Sequence, residues 1–253
     1  MVEVEVIEVN KDNIDTYPPR CFLKKDNPGQ IQKNEWVLDR LKEGMRVKLL
    51  LTKTDKKLIG YIEYTPGEFA WRAVNAKEYM FIHCIWISPK KHREVGLGSL
   101  LINESINDAE KAGLSGVAVV TSSDAFMADK QLFLKNDFTV VEESAPYSLL
   151  VKQFEKKQNP SFTDWKNQLK KYQGLHIVYT RQCPWVDRFM DEMKKRFSEL
   201  EVNITELKTA DEAQHAPSIY TSFNLIYNKR LLSDHYISER RFENIIKKEI
   251  PPK

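Results

Sequence analysis

Between Ile85 and Ser99 a β-rich stretch runs through a cluster of basic residues into two glycines spaced by one residue, and these open an amphipathic run. The order is Ile85-Trp86-Ile87-Ser88-Pro89-Lys90-Lys91-His92-Arg93-Glu94-Val95-Gly96-Leu97-Gly98-Ser99. It predicts a strand that feeds a helix through a tight, positively charged turn. A helix N-terminus carries N–H donors without intrahelical acceptors and a partial positive charge, so an anion is stabilised there. Glycines let the backbone approach that anion without a Cβ clash. An ordinary tight turn also uses a glycine pair; the strand before it and the helix after it make a phosphate loop the more specific reading. A dinucleotide-binding loop fits less well, because the pattern is one glycine short and follows a strand that reads as antiparallel.

The rest of the first half is consistent with a mixed α/β layer. Val2 to Val9 alternates apolar and acidic residues, the period of a half-buried strand. Helical spacing of Trp36, Val37, Leu38 and Leu41 predicts a helix from about 33 to 44. Runs at 46–53 and 58–64, joined by Thr54-Asp55-Lys56-Lys57, read as a hairpin, and a third strand runs from about 79 to 87. A helix over 99–112 ends at Gly113, a strand follows at 117–120, a helix at about 126–136 and a strand at 139–141. Residues 154–164 are polar and include Pro160, as a linker would be. The expected division is a first domain over 1–153, the linker, and a second domain over 165–253.

Composition narrows the function classes. A net charge of +3 lacks the concentrated basic excess of a nucleic-acid-binding surface. Three widely spaced cysteines, Cys21, Cys84 and Cys183, argue against a disulfide framework and against a cysteine-based zinc site, so no metal is expected. The N-terminus has no apolar signal core and no run reaches transmembrane length, so the expectation is a cytoplasmic protein with no membrane partner.

Arg93-Glu94-Val95-Gly96-Leu97-Gly98 resembles the Arg/Gln-x-x-Gly-x-Gly/Ala loop of GNAT acetyltransferases, and with the element order the resemblance covers roughly residues 1–150. It implies an acetyl-CoA-dependent N-acetyltransferase in which an amine attacks the thioester directly. It also implies a fold built on the GNAT mixed sheet with flanking helices. The CoA pyrophosphate would meet His92, Arg93, Glu94, Val95, Gly96, Leu97, Gly98 and Ser99, and the pantetheine arm would meet Ile85, Trp86 and Ile87. Two departures stand out: Glu94 occupies a place where the family often has Gly, and the turn after Ile87 is one residue longer than usual.

Direct attack needs a deprotonated amine, a held oxyanion and a proton for the leaving thiolate. Strict alternation along the 79–87 strand puts Tyr79, Phe81, His83, Ile85 and Ile87 on one face. The segment from Ile82 to Ile87 is similar to the strand of arylalkylamine acetyltransferases in which a His takes the proton, and an imidazole titrates near neutral pH. His83 therefore reads as the base or as a hydrogen-bonded core histidine, with Glu63 and Glu68 as reserve bases. Leu132-Phe133-Leu134-Lys135-Asn136-Asp137-Phe138 matches the family's Phe-Tyr-x-Lys-x-Gly-Phe pattern with Phe133 in place of the acidic Tyr. Phe133 is then expected to pack on the CoA arm. Three alternatives stay open for the acid: Tyr147, Cys84 or Asp124 donates the proton, the thiolate leaves unassisted, or the domain binds acetyl-CoA with little turnover. Trp71 and Arg72 are the candidate substrate-side residues, against an equal reading as packing and surface. The acceptor is expected to be a small-molecule or peptide amine; oligomeric state is not legible.

In the second half, Thr180-Arg181-Gln182-Cys183-Pro184-Trp185-Val186 lies where a strand feeds a helix. It resembles the active turn of thioredoxin-like folds, with Val186 replacing the second cysteine, so a dithiol cycle within the turn is excluded. Cys183 is a reactive or a structural thiol, and Ala216-Pro217-Ser218 is the candidate for the cis-proline segment of such folds. The pairing of this turn with Asn224-Leu225-Ile226-Tyr227-Asn228 and the run from Leu231 to Ser238 is similar to the YoaP-like acetyltransferases of bacteria and archaea. The alternative function is an acetyl-CoA-binding or thiol-sensing regulatory protein; a thiol-dependent reductase is disfavoured by Val186.

Overall fold

The computed structural model of the chain describes residues 2–20, 26–124, 127–196 and 200–250, with the side chains of 194–196 left aside. It resolves into two units. The first gathers the residues up to Pro19, Val37–Ala70 and Val74–Phe162; the second gathers Arg20–Trp36, Trp71–Ala73 and the residues from Thr163 on. The main break lies between Phe162 and Thr163, and two short earlier stretches cluster with the later residues.

The first unit is a seven-stranded sheet. Its strands are β1 (Val4–Glu8), β2 (Arg46–Thr52), β3 (Leu58–Pro66), β5 (Met80–Ile87), β6 (Gly116–Ser122), β7 (Thr139–Ser144) and β8 (Tyr147–Gln153), in the order β1-β2-β3-β5-β6-β8-β7. A separate two-stranded ladder joins β4 (Val74–Asn75) to β9 (Ser161–Phe162). All neighbours in the large sheet are antiparallel except β5 and β6. Helix α1 (Pro28–Leu41) begins earlier than its apolar spacing indicated, with a proline in the first turn where its missing N–H costs nothing.

Helix α2 (Leu97–Lys111) packs Leu97, Leu101, Ile102, Ile106 and Ala109 on one sheet face, against Ile62, Tyr64, Met80, Ile82, Ile85, Val117, Val119 and Leu150. Helix α3 (Lys130–Leu134) is shorter than the expected 126–136: the Asp129 side chain accepts from the Gln131 N–H and starts it late. Phe126, its expected first residue, lies outside the described residues. The strand β8 was not anticipated. Tyr147–Gln153 lies between β6 and β7 with five consecutive buried residues, and so lacks the alternation that marks a half-buried strand.

The second unit has a four-stranded sheet of β10 (Leu175–Tyr179), β11 (Asn203–Glu206), β12 (Phe223–Tyr227) and β13 (Arg230–Ser233), in the order β11-β10-β12-β13. β10 and β11 are parallel, and the other pairs are antiparallel. Helices α4 (Trp165–Gln168), α5 (Pro184–Arg196), α6 (Ala210–Gln214) and α7 (Glu239–Glu249) complete it. The spacing of Phe189, Met190, Met193, Phe197 and Leu200 predicts a helix here, and of these Phe197 lies outside the described residues. Phe189, Met190 and Met193 of α5 and Phe242 of α7 bury against Ile177, Phe223 and Leu225. Among the described residues no helix is long and apolar enough to cross a membrane.

Candidate active site

The one parallel pair of the large sheet comes apart. β5 and β6 register over only three positions, Met80↔Val117, Phe81↔Ala118 and Ile82↔Val119. Past that point β5 stays paired with β3 as far as Gly60↔Ile87, and β6 stays paired with β8 as far as Ser122↔Tyr147. Among the described residues, then, 83–87 and 120–122 diverge as the arms of a fork. The fork-facing backbone groups of an interrupted ladder need partners, and an extended, amide-bearing arm supplies them as a further strand would.

His83 stands at the fork. The β3–β5 register passes from Glu63↔Cys84 to Tyr64↔Ile82, so His83 is the extra residue of a β-bulge. A bulge re-aims side chains, and bulges concentrate beside active sites. This corrects the alternation read from the sequence. Met80 and Ile82 face α2, but so do Ile85 and Ile87, because the bulge inverts the phase between residues 82 and 85. Phe81, His83, Cys84 and Trp86 fall on the other face. There the Phe81 and His83 rings lie 5.4 Å apart, and Trp86 stacks on its registered partner Tyr61 at 5.9 Å.

Glu63 shares this face. Its carboxylate accepts a hydrogen bond from the Tyr61 hydroxyl and has its other oxygen 3.8 Å from His83 Nδ1. The side chains of His83 and Glu63 are 0% and 1% exposed. Tyr61 escaped the sequence reading, although Tyr61-Ile62-Glu63 at strand spacing was the signal that could have found it.

The loop after β5 runs through Lys90–His92 as one 3-10 turn, and Arg93 Nε donates to the Ile87 carbonyl at 3.0 Å. Glu94 and Gly96 both have left-handed backbones, with φ of 62° and 85°. A non-glycine residue pays for that conformation, and Glu94 adopts it all the same. Leu100 makes the first helical bond, to the Gly96 carbonyl, which leaves the N–H groups of Leu97, Gly98 and Ser99 at the open end of α2. Val95 is exposed, and so are Lys90, Lys91 and Arg93. A Cβ on Gly98 would lie 2.9 Å from Leu132 Cδ1, so a side chain here would have to displace the end of that leucine. Amide donors at a 15-residue helix end, ringed by cations, fit a diphosphate, and the fork beside them fits an extended arm.

The remaining predicted residues separate. Tyr147 is 4% exposed and opposite Ser122, at the end of β6 where the fork is open. Asp124 is exposed on the loop after β6, with its N–H bonded to Ser122 Oγ. Phe133 is fully buried edge-on to Phe138 in the α2 core, and has no surface to offer an arm in the fork. Trp71 and Arg72 are buried within the second unit: Trp71 meets Trp36 edge-on, and Arg72 donates to the Trp71 carbonyl and to Gln182 Oε1 and covers the Tyr220 ring. Neither presents a surface to an acceptor. Burial around the Cys183 sulfur pushes its thiol up, and the N–H groups of Trp185 and Val186 and the Lys33 charge oppose this without cancelling it. The Ala216–Pro217 bond is not among the cis bonds, contrary to the expectation for that segment.

Residues 10–138 match the acetyltransferase (GNAT) family, a span of just over half the chain. The chain belongs to the GNAT acetyltransferase family. It is an acyltransferase, and acetyl-CoA is its cosubstrate. Residues 202–244 match a second description, YoaP-like. The uncharacterized N-acetyltransferase YoaP of Bacillus subtilis (strain 168) is 28% identical over 252 residues, covering 95% of this chain and 97% of its own. Among solved structures, the Campylobacter jejuni N-acetyltransferase PseH is 16% identical over 60% of this chain and 99% of its own, with a TM-score of 0.41. The PaiA N-acetyltransferase of Thermoplasma acidophilum in complex with coenzyme A is 13% identical over 60% and 99%, with a TM-score of 0.43.

Proposed function

We propose that this GNAT acetyltransferase moves the acetyl group of acetyl-CoA directly to the nitrogen of a small-molecule or peptide amine, with His83 as the base. The observation that carries this reading is the coincidence of three features: the fork between β5 and β6, the bulge that puts His83 at its apex, and the donor-rich start of α2. The N–H groups of 97–99, with His92 and Arg93 beside them, hold the pyrophosphate. Backbone groups of Ile85, Trp86 and Ile87 orient the arm. His83 takes the proton of the attacking amine, and Tyr147, at the open end of the fork, is the group that returns one to the thiolate. Its position opposite Ser122 supports that role more than any feature of Asp124 does.

The two units act as a GNAT domain and a smaller YoaP-like domain in a cytoplasmic protein. The order β11-β10-β12-β13, with one parallel pair and a terminal hairpin followed by α7, supports a thioredoxin-like form for the second. A thiol held neutral by burial does not favour a sensing role for Cys183.

A panel of aliphatic, aromatic and polyamine acceptors and lysine peptides, read by release of the CoA thiol, tests the reading. His83→Gln is expected to lower kcat by about 100-fold or more while acetyl-CoA affinity stays within about twofold, the range of a lost general base. Equal turnover by the variant would remove His83 from the reaction.

A further inference from the structure

Glu63 is an unusual residue to bury. A carboxylate removed from water is neutralised unless donors or a cation hold its charge. Here one oxygen accepts from the Tyr61 hydroxyl and the other lies 3.8 Å from His83 Nδ1, with both side chains almost wholly enclosed. Tyr61 is itself clamped by the 5.9 Å stack with Trp86, its registered partner on the fork strand. On β3 and β5 the titratable groups of this face are Tyr61, Glu63, His83 and the Cys84 thiol, while Lys48, Glu104 and Asp108 gather with α2 on the opposite face.

We infer that Tyr61, Glu63 and His83 form one line in which Glu63 is a positioning residue and not a second base. This rests on the reading of His83 as the base. The bond from the amine nitrogen to the acetyl carbon forms, the thioester C–S bond breaks, and CoA leaves as the thiolate. The proton lost by the nitrogen rests on His83, through the ring nitrogen farther from Glu63. The Glu63 carboxylate stays ionised throughout and stabilises the imidazolium, and Tyr61 fixes which oxygen faces the ring. What separates the two groups is strand position: His83 belongs to β5, an arm of the fork, whereas Glu63 lies one strand back on β3, opposite Cys84.

The line predicts a linked pair of measurements on the full chain. In imidazole NMR, with the His83 signal assigned by its loss in His83→Gln, Glu63→Gln lowers the His83 titration midpoint by about one pH unit, because a neighbouring negative charge favours the imidazolium. Tyr61→Phe gives a smaller change of the same sign. With the best amine of the panel, the acid limb of kcat/KM moves to lower pH by the same amount, and retained acetyl-CoA binding certifies that each variant is folded. An unmoved His83 midpoint in Glu63→Gln overturns the line, whatever the turnover. A midpoint that moves while the acid limb stays overturns it too, since the pair is then only structural. If no amine is acetylated by the wild type, the functional reading fails and takes the catalytic role of Glu63 with it. The NMR midpoint still decides, on its own, whether Glu63 holds the charge of His83.

Discussion

A thiol at the first turn of a helix ordinarily loses its proton easily. Cys183 precedes α5 and accepts from the N–H groups of Trp185 and Val186, yet burial outweighs those donors and the nearby Lys33 charge and leaves its pKa above the ordinary value of 9.0. At neutral pH the residue is a thiol, and only the thiolate reacts. Alkylation by iodoacetamide at pH 7 is therefore expected to be several-fold slower than for free cysteine, with the rate rising past pH 9. The chain also carries Cys21 and Cys84, so the measurement uses Cys183→Ser to assign the signal. Fast labelling of Cys183 at pH 7 would contradict the assignment. Cys183 shows how little a residue's type says by itself: a thiol at a helix start reads as reactive, and its surroundings keep the proton on it.

At the scale of the element, the start of α2 can bind an anion only if the helix is held still. The hold is a buried charge cluster on the α2 face of the sheet. Lys48 of β2 lies 2.8 Å from Asp108 and 2.7 Å from Glu104, both on α2, and the Tyr64 hydroxyl of β3 donates to Asp108 at 2.7 Å. Burial pushes the Asp108 carboxyl up, but the hydrogen bonds from Lys48 and Tyr64 and the charges of Lys48 and Arg46 prevail and hold it below the ordinary value of 3.8. Burial likewise pushes Lys48 down, and its bonds to Asp108 and Glu104 reverse that and raise it above 10.5. The depressed aspartate contributes stability that is complete above pH 3.8 and lost as the pH falls through its folded value. The raised lysine contributes stability that is complete below pH 10.5 and lost as the pH rises through its folded value. Removing one partner strands the others, so Lys48→Met is expected to cost about 3 kcal/mol in urea unfolding at pH 7. The wild-type advantage should narrow at both pH extremes. A cost below about 0.5 kcal/mol, or one independent of pH, would contradict it.

For the whole molecule, what was legible follows from what leaves a local mark. The loop from Arg93 to Gly98 announced itself because left-handed and close-packed backbone positions restrict residue type, and the structure has φ of 85° at Gly96 and the end of Leu132 against Gly98. The hairpin β2–β3, the helix α2 and the strand β10 carried their own periodicity. The bulge at His83 did not: one extra residue inverts the facing of Ile85 and Ile87, and nothing in the residue types of an almost wholly apolar strand reports it. Strand β8 was hidden for the same reason, and the clustering of residues 20–36 and 71–73 with the second unit depends on contacts distant in sequence. Trp71 and Arg72 stayed open between binding and packing because an aromatic beside an arginine has the same appearance in a binding loop and in a core. The central claim is that the start of α2 and the fork beside it hold acetyl-CoA. Calorimetric titration of the full chain with acetyl-CoA, beside Gly96→Glu, tests it most directly. Gly96 has open space around it, so the variant places a negative charge at the helix start without crowding the core, at a backbone cost of about 1–2 kcal/mol. Micromolar binding by the wild type that falls at least tenfold in the variant is the predicted result; no binding by the wild type, or equal binding by both, would contradict it.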